Sequence, residues 1–130
     1  MKNTKQKVYK LDAKTKRKLD RLFSQFIHKR DKVCMVCGKK DFLDTAHIIP
    51  RTCLALRWAP QNAILLCKRH HKFGGVESFH SSPFWFYRWY SEHYGEDHIT
   101  KLLKASEVEV TFSAEDVEEI EEMLKLSTKA

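Results

Sequence analysis

Cysteine and histidine residues concentrate in one stretch of the chain, between positions 33 and 80. A Cys-x-x-Cys pair opens the stretch, and a cysteine followed by two histidines comes after a spacer of 29 residues. Zinc takes four ligands in a tetrahedron, and two closely spaced pairs supply them with little strain. The predicted structural zinc ligands are Cys34, Cys37, Cys67 and His70, with the adjacent His71 as the alternative fourth ligand.

The histidines that this zinc site leaves over are suited to a second kind of chemistry. Hydrolysis of a phosphodiester needs a base that takes a proton from water and a cation on the scissile phosphate. His47 is the candidate base, and His71 and His80 are candidate ligands of the cation. Asn62 is placed to fix the His47 ring through its second nitrogen. A single histidine is more often a surface or packing residue, so the hypothesis depends on their joint placement beside the cysteine pairs.

This pattern resembles the HNH endonucleases, whose ββα-metal core is a hairpin followed by a helix. The resemblance is carried by His47, Asn62 and His71, framed by the two pairs of zinc ligands. The segments AHIIPR, LRWAPQNAILLC and WFYRWYSEHYGED are similar to a narrower phage group related to the NinG (Rap) recombination nuclease of lambda. That similarity covers roughly residues 17–105.

The resemblance implies a role for each matching position. His47 corresponds to the general base, and Asn62 corresponds to the asparagine that supports the hairpin and orients that base. His71 corresponds to the metal-binding histidine of the helix, and His80 to the second histidine of that helix. The implied catalytic cation is Mg²⁺ or Mn²⁺.

The chain departs from the family pattern at three points. Many relatives carry a metal-binding Asp or His directly before the base, where this chain has Ala46. Asp44, on the same strand face, is the expected substitute ligand. The last zinc ligand is His70, where cysteine is commoner, and His71 and His80 lie farther apart than is usual. A degenerate relative that binds DNA without cutting it is therefore an alternative interpretation.

The formal net charge of +7 is distributed unevenly along the chain. Residues 1–40 carry a net charge of +11, residues 41–106 carry +2, and residues 107–130 carry −6. A basic front favours a polyanionic partner such as DNA, and the acidic end is expected to form a solvated helix face. The basic residues that flank the predicted site, and are expected to contact phosphate, are Arg51, Arg57, Lys68, Arg69 and Lys72.

Hydrophobic periodicity predicts the elements that position these residues. A helix beginning at Lys68 is expected to end or break at Gly74 and Gly75. The aromatic stripe from Phe84 to Tyr90 is predicted to be core rather than a surface that stacks on bases. The other expected elements are a helix at 13–30, strands at 42–49 and 62–66, helices at 83–93 and 96–105, a strand at 108–112 and a helix at 114–126.

The predicted fold class is α+β, a zinc-stapled ββα-metal core flanked by N- and C-terminal helices. Residues 1–12 are expected to be a flexible basic arm. Residues 13–130 are expected to form a single nuclease domain, with its core at 33–80 and a helical extension at 82–130. No apolar run approaches the ~20 residues that span a bilayer, and no signal peptide is evident. Reduced cysteines and a cytoplasmic location, without a membrane partner, are therefore expected.

The predicted function is metal-dependent cleavage of DNA, with a structural Zn²⁺ and a catalytic Mg²⁺ or Mn²⁺. The phage resemblance implies branched recombination intermediates, such as four-way junctions, as the substrate in a bacterial host cell. An enzyme that resolves junctions is expected to act as a homodimer, although no stretch of the sequence indicates a dimer interface. The alternatives are a non-catalytic zinc-stapled DNA-binding protein and a general or packaging-linked phage nuclease.

Overall fold

A two-stranded antiparallel hairpin lies at the centre of the computed structural model, which describes the backbone of residues 11–129 and the side chains of residues 11–126. Strand β1 (Leu43–His47) pairs with strand β2 (Ala63–Cys67), and His47 lies opposite Ala63. Both predicted strands are thus present, with β1 shorter than expected. The helices are α1 (Ala13–Asp31), α2 (Pro83–Tyr94), α3 (Glu96–Ser106) and α4 (Ala114–Lys129).

Strand β2 is buried along its whole length because helices cover both faces of the hairpin. Its alternating side chains belong to two apolar clusters. Ile64 and Leu66 pack with residues of α2 and α3, whereas Ala63 and Leu65 pack with residues of α1 and α4. Because both faces of β2 are covered, side chains on both faces are apolar, and this explains the continuous apolar sequence AILLC. The chain is a mixed α and β protein with the hairpin between two helical layers.

Helix α1 begins at the residue that the sequence predicts. Asp12 caps it by accepting a hydrogen bond from the backbone N–H of Thr15 at 2.8 Å. Asp12 therefore belongs to the helix start rather than to the predicted basic arm, of which residues 1–10 lie outside the described residues. The buried side chains of α1 recur at helical spacing and pack in the cluster on its side of the hairpin; they are Leu19, Leu22, Phe23 and Ile27.

Helix α4 packs against α1 and begins with a reciprocal cap. The backbone N–H of Ser113 donates to Asp116 at 2.9 Å, and the N–H of Asp116 donates to Ser113 Oγ at 3.1 Å. An ion pair of 3.0 Å between Lys18 and Glu121 joins the basic helix to the acidic one. Among the described residues, no helix is long and apolar enough to cross a membrane.

Helix α2 carries the aromatic stripe, and most of that stripe is core as predicted. Phe86 and Tyr90 are buried, and Trp85 and Trp89 are partly buried against the same cluster. Gly95 ends the helix with a φ of 90°, a backbone conformation that favours glycine. The core interpretation is wrong for the two aromatic residues that are 90% and 48% exposed, Phe84 and Tyr87.

Two predicted elements differ from the structure. The segment at 108–112 is not a strand, because it pairs with neither strand of the hairpin in the described part of the chain. The alternating apolar residues of this segment belong to a loop that packs on the core, where the centroid of the Phe112 ring lies 5.9 Å from that of the Trp58 ring. The helix expected after Lys68 is a single π-helical turn, Arg69–Phe73. The turn closes at Gly74, where a Cβ atom would lie 2.5 Å from the Arg69 carbonyl oxygen.

Candidate metal centre and active-site cleft

Four side chains with metal-ligand atoms meet where the turn at residues 34–38 approaches the end of β2. Their ligand atoms all lie within 4.8 Å of one another, and the residues are Cys34, Cys37, Cys67 and His70. His70 Nδ1 lies 3.3 Å from Cys67 Sγ, and the Sγ atoms of Cys37 and Cys67 are 3.9 Å apart. Donors held at about 2.0–2.3 Å from a tetrahedral zinc have separations of this size. The cluster indicates a structural metal such as zinc, and His70 rather than His71 contributes to it.

The turn that carries the first two cysteines is fixed to the hairpin by its backbone. Gly38 takes a φ of 78° and donates its N–H to the Cys34 carbonyl at 2.8 Å. The N–H of Met35 donates to the Leu65 carbonyl at 2.9 Å, which attaches the turn to β2. Burial raises the pKa of Cys37, and the neighbouring Cys34 raises it further. A cation would offset this mutual repulsion of the thiolates, as expected of a metal site.

A cleft of about 700 Å³ lies between α1, the end of β1 and the segment that follows the π-helical turn. His47, His71 and His80 all line it, as the sequence predicts for a shared site. The rings of His71 and His80 meet edge to face with centroids 4.6 Å apart. The backbone N–H of His80 donates to the His71 carbonyl at 3.0 Å. The chain between them therefore folds back, and this brings the two histidines together despite their wide spacing in the sequence.

His47 is held by a backbone carbonyl and an aromatic ring. Its Nε2 lies 2.8 Å from the carbonyl oxygen of Arg57, and its ring stacks on Phe23 with centroids 5.3 Å apart. A carbonyl oxygen can only accept, so Nε2 carries the hydrogen and Nδ1 of the neutral ring has a free lone pair. Burial lowers the pKa of His47 and so favours the neutral form. The neutral ring therefore has one nitrogen, Nδ1, with a lone pair that can accept a proton.

Asn62 is buried, and its side-chain hydrogen bonds go to Ile49 and Leu56 rather than to the His47 ring, so the predicted bond to that ring is wrong. Its side-chain oxygen accepts from the N–H of Ile49 at 2.8 Å. Its amide nitrogen donates to the carbonyls of Ile49 at 2.9 Å and Leu56 at 3.1 Å. These bonds hold together the two ends of the loop at 48–62. Asn62 thus supports the hairpin, and any effect on His47 passes through that loop.

Asp44 lies against His71 rather than in the cleft lining. One of its oxygens lies 2.9 Å from His71 Nδ1, and the other pairs with the ammonium of Lys68. Burial raises the pKa of Asp44, but the hydrogen bonds from Lys68 and His71 outweigh this effect, and the net shift is downward. Burial lowers the pKa of His71. A neutral His71 that donates from Nδ1 to the carboxylate keeps Nε2 available as a metal ligand.

The four residues of the metal cluster and two of the cleft histidines, His47 and His71, all lie within residues 34–73. Residues 34–73 match the model of a family described as HNH endonuclease. No curated protein and no solved structure gives a significant match to the chain. The match supports an HNH endonuclease with a zinc-binding ββα core, and it indicates metal-dependent nuclease activity with DNA as the substrate. His80 lies beyond the matched span.

The basic residues predicted to contact phosphate differ in their relation to this cleft. Arg51 and Lys72 line it. Lys68 and Arg69 are exposed, and each pairs with a carboxylate. The guanidinium of Arg57 is bound to a carboxylate of α1, and only 17% of its side chain is exposed. The expectation that Arg57 contacts phosphate is therefore corrected, because its hydrogen bonds lie within the fold.

Asp20 lines the cleft, although the sequence did not mark it as a site residue. It is the α1 carboxylate that binds Arg57, with distances of 3.0 and 2.7 Å to the guanidinium. One signal was available, because Asp20 is the single acidic residue between positions 13 and 30 of an otherwise basic helix. An isolated acid among so many bases indicates a specific partner.

Proposed function

We propose that this protein is a metal-dependent DNA endonuclease in which His47 is the general base and His71 and His80 bind a divalent cation. The observation that carries the proposal is the single cleft that all three histidines line. The proposed substrate is branched recombination DNA. This choice is supported by the similarity of AHIIPR and LRWAPQNAILLC to the phage recombination group.

His47 would take the proton of the attacking water on Nδ1. The hydrogen bond from its Nε2 to the Arg57 carbonyl directs the opposite nitrogen to this task. The resulting imidazolium would be stabilised by the nearby carboxylate of Asp20, whose charge raises the affinity of the ring for a proton. Arg51 and Lys72 would bind the phosphates on either side of the scissile bond.

His71 and His80 are the residues that would hold the catalytic cation. Their adjacent rings and the carboxylate on the Nδ1 side of His71 fit a site of this kind. A bound cation would stabilise negative charge on the phosphate and on the leaving oxygen. The resemblance to the HNH endonucleases implies that Mg²⁺ or Mn²⁺ would serve as this cation.

The test of the proposal is cleavage of a labelled four-way junction beside a linear duplex of the same sequence. The protein would be assayed without divalent cation, with Mg²⁺ and with Mn²⁺. The matched control for His47→Ala is His93→Ala, since His93 is an exposed histidine of α2 outside the cleft. Cleavage that needs a cation, prefers the junction, disappears in His47→Ala and persists in His93→Ala is expected.

Two other results would contradict parts of this proposal. Binding of DNA without cleavage in either metal would favour the non-catalytic zinc-stapled binder, and Ala46 in place of a metal ligand is the feature that supports that alternative. Equal cleavage of junction and duplex would favour a general or packaging-linked nuclease.

Asp44→Asn distinguishes a carboxylate that orients His71 from one that binds the cation. An amide oxygen can still accept the hydrogen from His71 Nδ1. If Asp44 only orients His71, the Mn²⁺ concentration for half-maximal activity should rise by about 10-fold at most. The structure favours this outcome because both Asp44 oxygens are already bonded to Lys68 and His71. A metal titration of cleavage measures it. Loss of activity at every Mn²⁺ concentration would instead make Asp44 a direct ligand.

A further inference from the structure

Asp20 binds three donors of one short segment beside the cleft. Its Oδ1 accepts from Arg57 Nε at 3.0 Å and from the indole N–H of Trp58 at 2.8 Å. Its Oδ2 accepts from Arg57 Nη2 at 2.7 Å, and Arg51 lies 3.8 Å away. Burial raises the pKa of Asp20, but the hydrogen bonds from Arg57 and Trp58 outweigh it, and the net shift is downward. The carboxylate therefore stays ionised and bound to this segment.

The segment that Asp20 binds carries the carbonyl that orients His47. The Arg57 carbonyl lies between the two residues whose side chains bind Asp20, and it accepts from His47 Nε2 at 2.8 Å. The Arg57 guanidinium lies 5.4 Å from the Trp58 ring, and Trp58 is buried. On the other side, Asn62 holds the Leu56 carbonyl at 3.1 Å. The peptide plane that faces His47 is thus fixed from both ends.

No strand pairing holds this part of the loop, but turn bonds do: the Arg57 N–H donates to the Leu54 carbonyl and the Ala59 N–H donates to the Leu56 carbonyl, each at 3.3 Å. The direction of the Arg57 carbonyl therefore depends on the bonds from Arg57 and Trp58 to Asp20 as well as on these turn bonds. Without Asp20, the charged guanidinium would turn toward water and carry its peptide with it. His47 would then lose the acceptor that selects its Nε2–H tautomer.

Asp20 has two simpler interpretations. As a cation ligand it would need an oxygen that faces no other cation, but Oδ1 already accepts two hydrogen bonds and Oδ2 faces the guanidinium groups of Arg57 and Arg51. As an ordinary helix-to-loop ion pair it would add stability alone. Asp20 also binds the two residues on either side of the carbonyl that His47 contacts. Loss of Asp20 would therefore let the His47 ring rotate, and rotation would misplace the nitrogen that takes the proton.

We propose that Asp20 is a positioning residue for His47, acting through Arg57 and Trp58 to hold the imidazole as its Nε2–H tautomer with Nδ1 free. This inference rests on the proposed role of His47 as general base. The positioning itself is a property of the folded protein and can be measured without DNA.

Asp20→Asn is the primary test, since the amide keeps the shape of the carboxylate but cannot bind both guanidinium nitrogens and the indole. Arg57→Lys is the second variant, because it keeps the charge and the carbonyl and loses the forked contact. The matched control is Asp31→Asn. Asp31 is also an α1 carboxylate paired with an arginine, but it bonds to the N–H of Leu65, and its partner Arg30 donates to the Pro60 and Ala63 carbonyls, away from the carbonyl bound by His47.

The first readout is the ¹⁵N spectrum of the His47 ring, which distinguishes the two neutral tautomers. The wild type and Asp31→Asn are expected to show Nε2 protonated and Nδ1 unprotonated, whereas Asp20→Asn and Arg57→Lys shift toward a mixture. The second readout is cleavage, in which kcat is expected to fall about 10- to 100-fold with KM little changed. Asp20→Glu, which restores the charge, is expected to recover part of kcat.

An unchanged His47 spectrum in Asp20→Asn would overturn the inference, as would an equal loss of kcat in Asp31→Asn. A changed spectrum in a protein that never cleaves DNA would leave the positioning role intact and refute the proposed function instead. The two failures are therefore distinguishable.

Discussion

His47→Ala is expected to lower kcat for DNA cleavage by about 10²–10⁴-fold, the range that a positioned general base contributes. The affinity for DNA should change little, because the basic residues that line the cleft, Arg51 and Lys72, remain. The fold should persist, since His47 lies at the end of β1 and is only partly buried. Single-turnover cleavage measures the rate, and a binding titration on uncleaved DNA in Ca²⁺ measures the affinity.

The pH dependence of the wild type provides an independent check on this base. In the proposed mechanism the neutral ring is the active form, and burial places the pKa of His47 below its ordinary value of 6.5. Full activity should therefore extend below pH 6.5 and decline as the pH falls through that lowered pKa. The charged and titratable groups around the ring and the cleft are Asp20, Arg51, Arg57, His71, Lys72 and His80.

Protonation of His71 would also reduce activity at low pH, by weakening cation binding. That component should move to lower pH as the Mn²⁺ concentration rises, because the cation competes with protons for the ring nitrogens. The loss of activity caused by protonation of His47 should keep the same midpoint pH once the metal is saturating. An acid limb that persists in His47→Ala at saturating Mn²⁺ would refute the assignment of the base.

The local elements were predictable because each has a local cause. Helix α1 has a cap at Asp12 and apolar residues at helical spacing, and α4 has a reciprocal cap between Ser113 and Asp116. The strand predicted at 108–112 is wrong because alternation of apolar and polar residues reports on one segment and not on whether another strand pairs with it. A strand also needs a partner with free backbone groups, and that partner is a property of the tertiary fold.

The candidate site was predictable in its residues but not in its connections. Spacing identified the metal cluster, and the HNH resemblance identified His47, His71 and His80 as neighbours in one cleft. The sequence did not indicate that Asn62 bonds to Ile49 and Leu56 instead of His47, or that Asp20 binds Arg57. Both facts depend on how the loop at 48–62 folds between β1 and β2, and no periodic pattern governs that loop.

Removal of the structural metal is expected to have the largest effect on stability. Structural zinc contributes an apparent free energy of about 10–16 kcal/mol, which matches or exceeds the total stability of a typical domain, about 5–15 kcal/mol. Cys34 and Cys67 are both buried, and the hairpin between them has only five residues in each strand. Cys34→Ser is therefore expected to lose the metal and unfold the hairpin core at ambient temperature.

Cys53→Ser is the matched control, because Cys53 is a partly buried cysteine outside the metal cluster. Metal content by mass spectrometry should be about one zinc per chain in the wild type and in Cys53→Ser, and near zero in Cys34→Ser. Thermal melts should show a cooperative transition in the first two proteins alone. A metal-free wild type that melts at the same temperature as the metal-bound wild type would refute the structural site.

Loss of this metal should also abolish cleavage, although no cluster residue is assigned to the reaction. His70 stacks on Trp85 of α2 with ring centroids 6.2 Å apart, and the next residue is His71. The Phe79 N–H donates to the His70 carbonyl at 2.8 Å, so the same turn also sets the position of His80. When His70 is released, both proposed cation ligands lose their fixed separation. Cys34→Ser should therefore lose cleavage as its hairpin core unfolds, whereas Cys53→Ser should retain the folded core and cleavage.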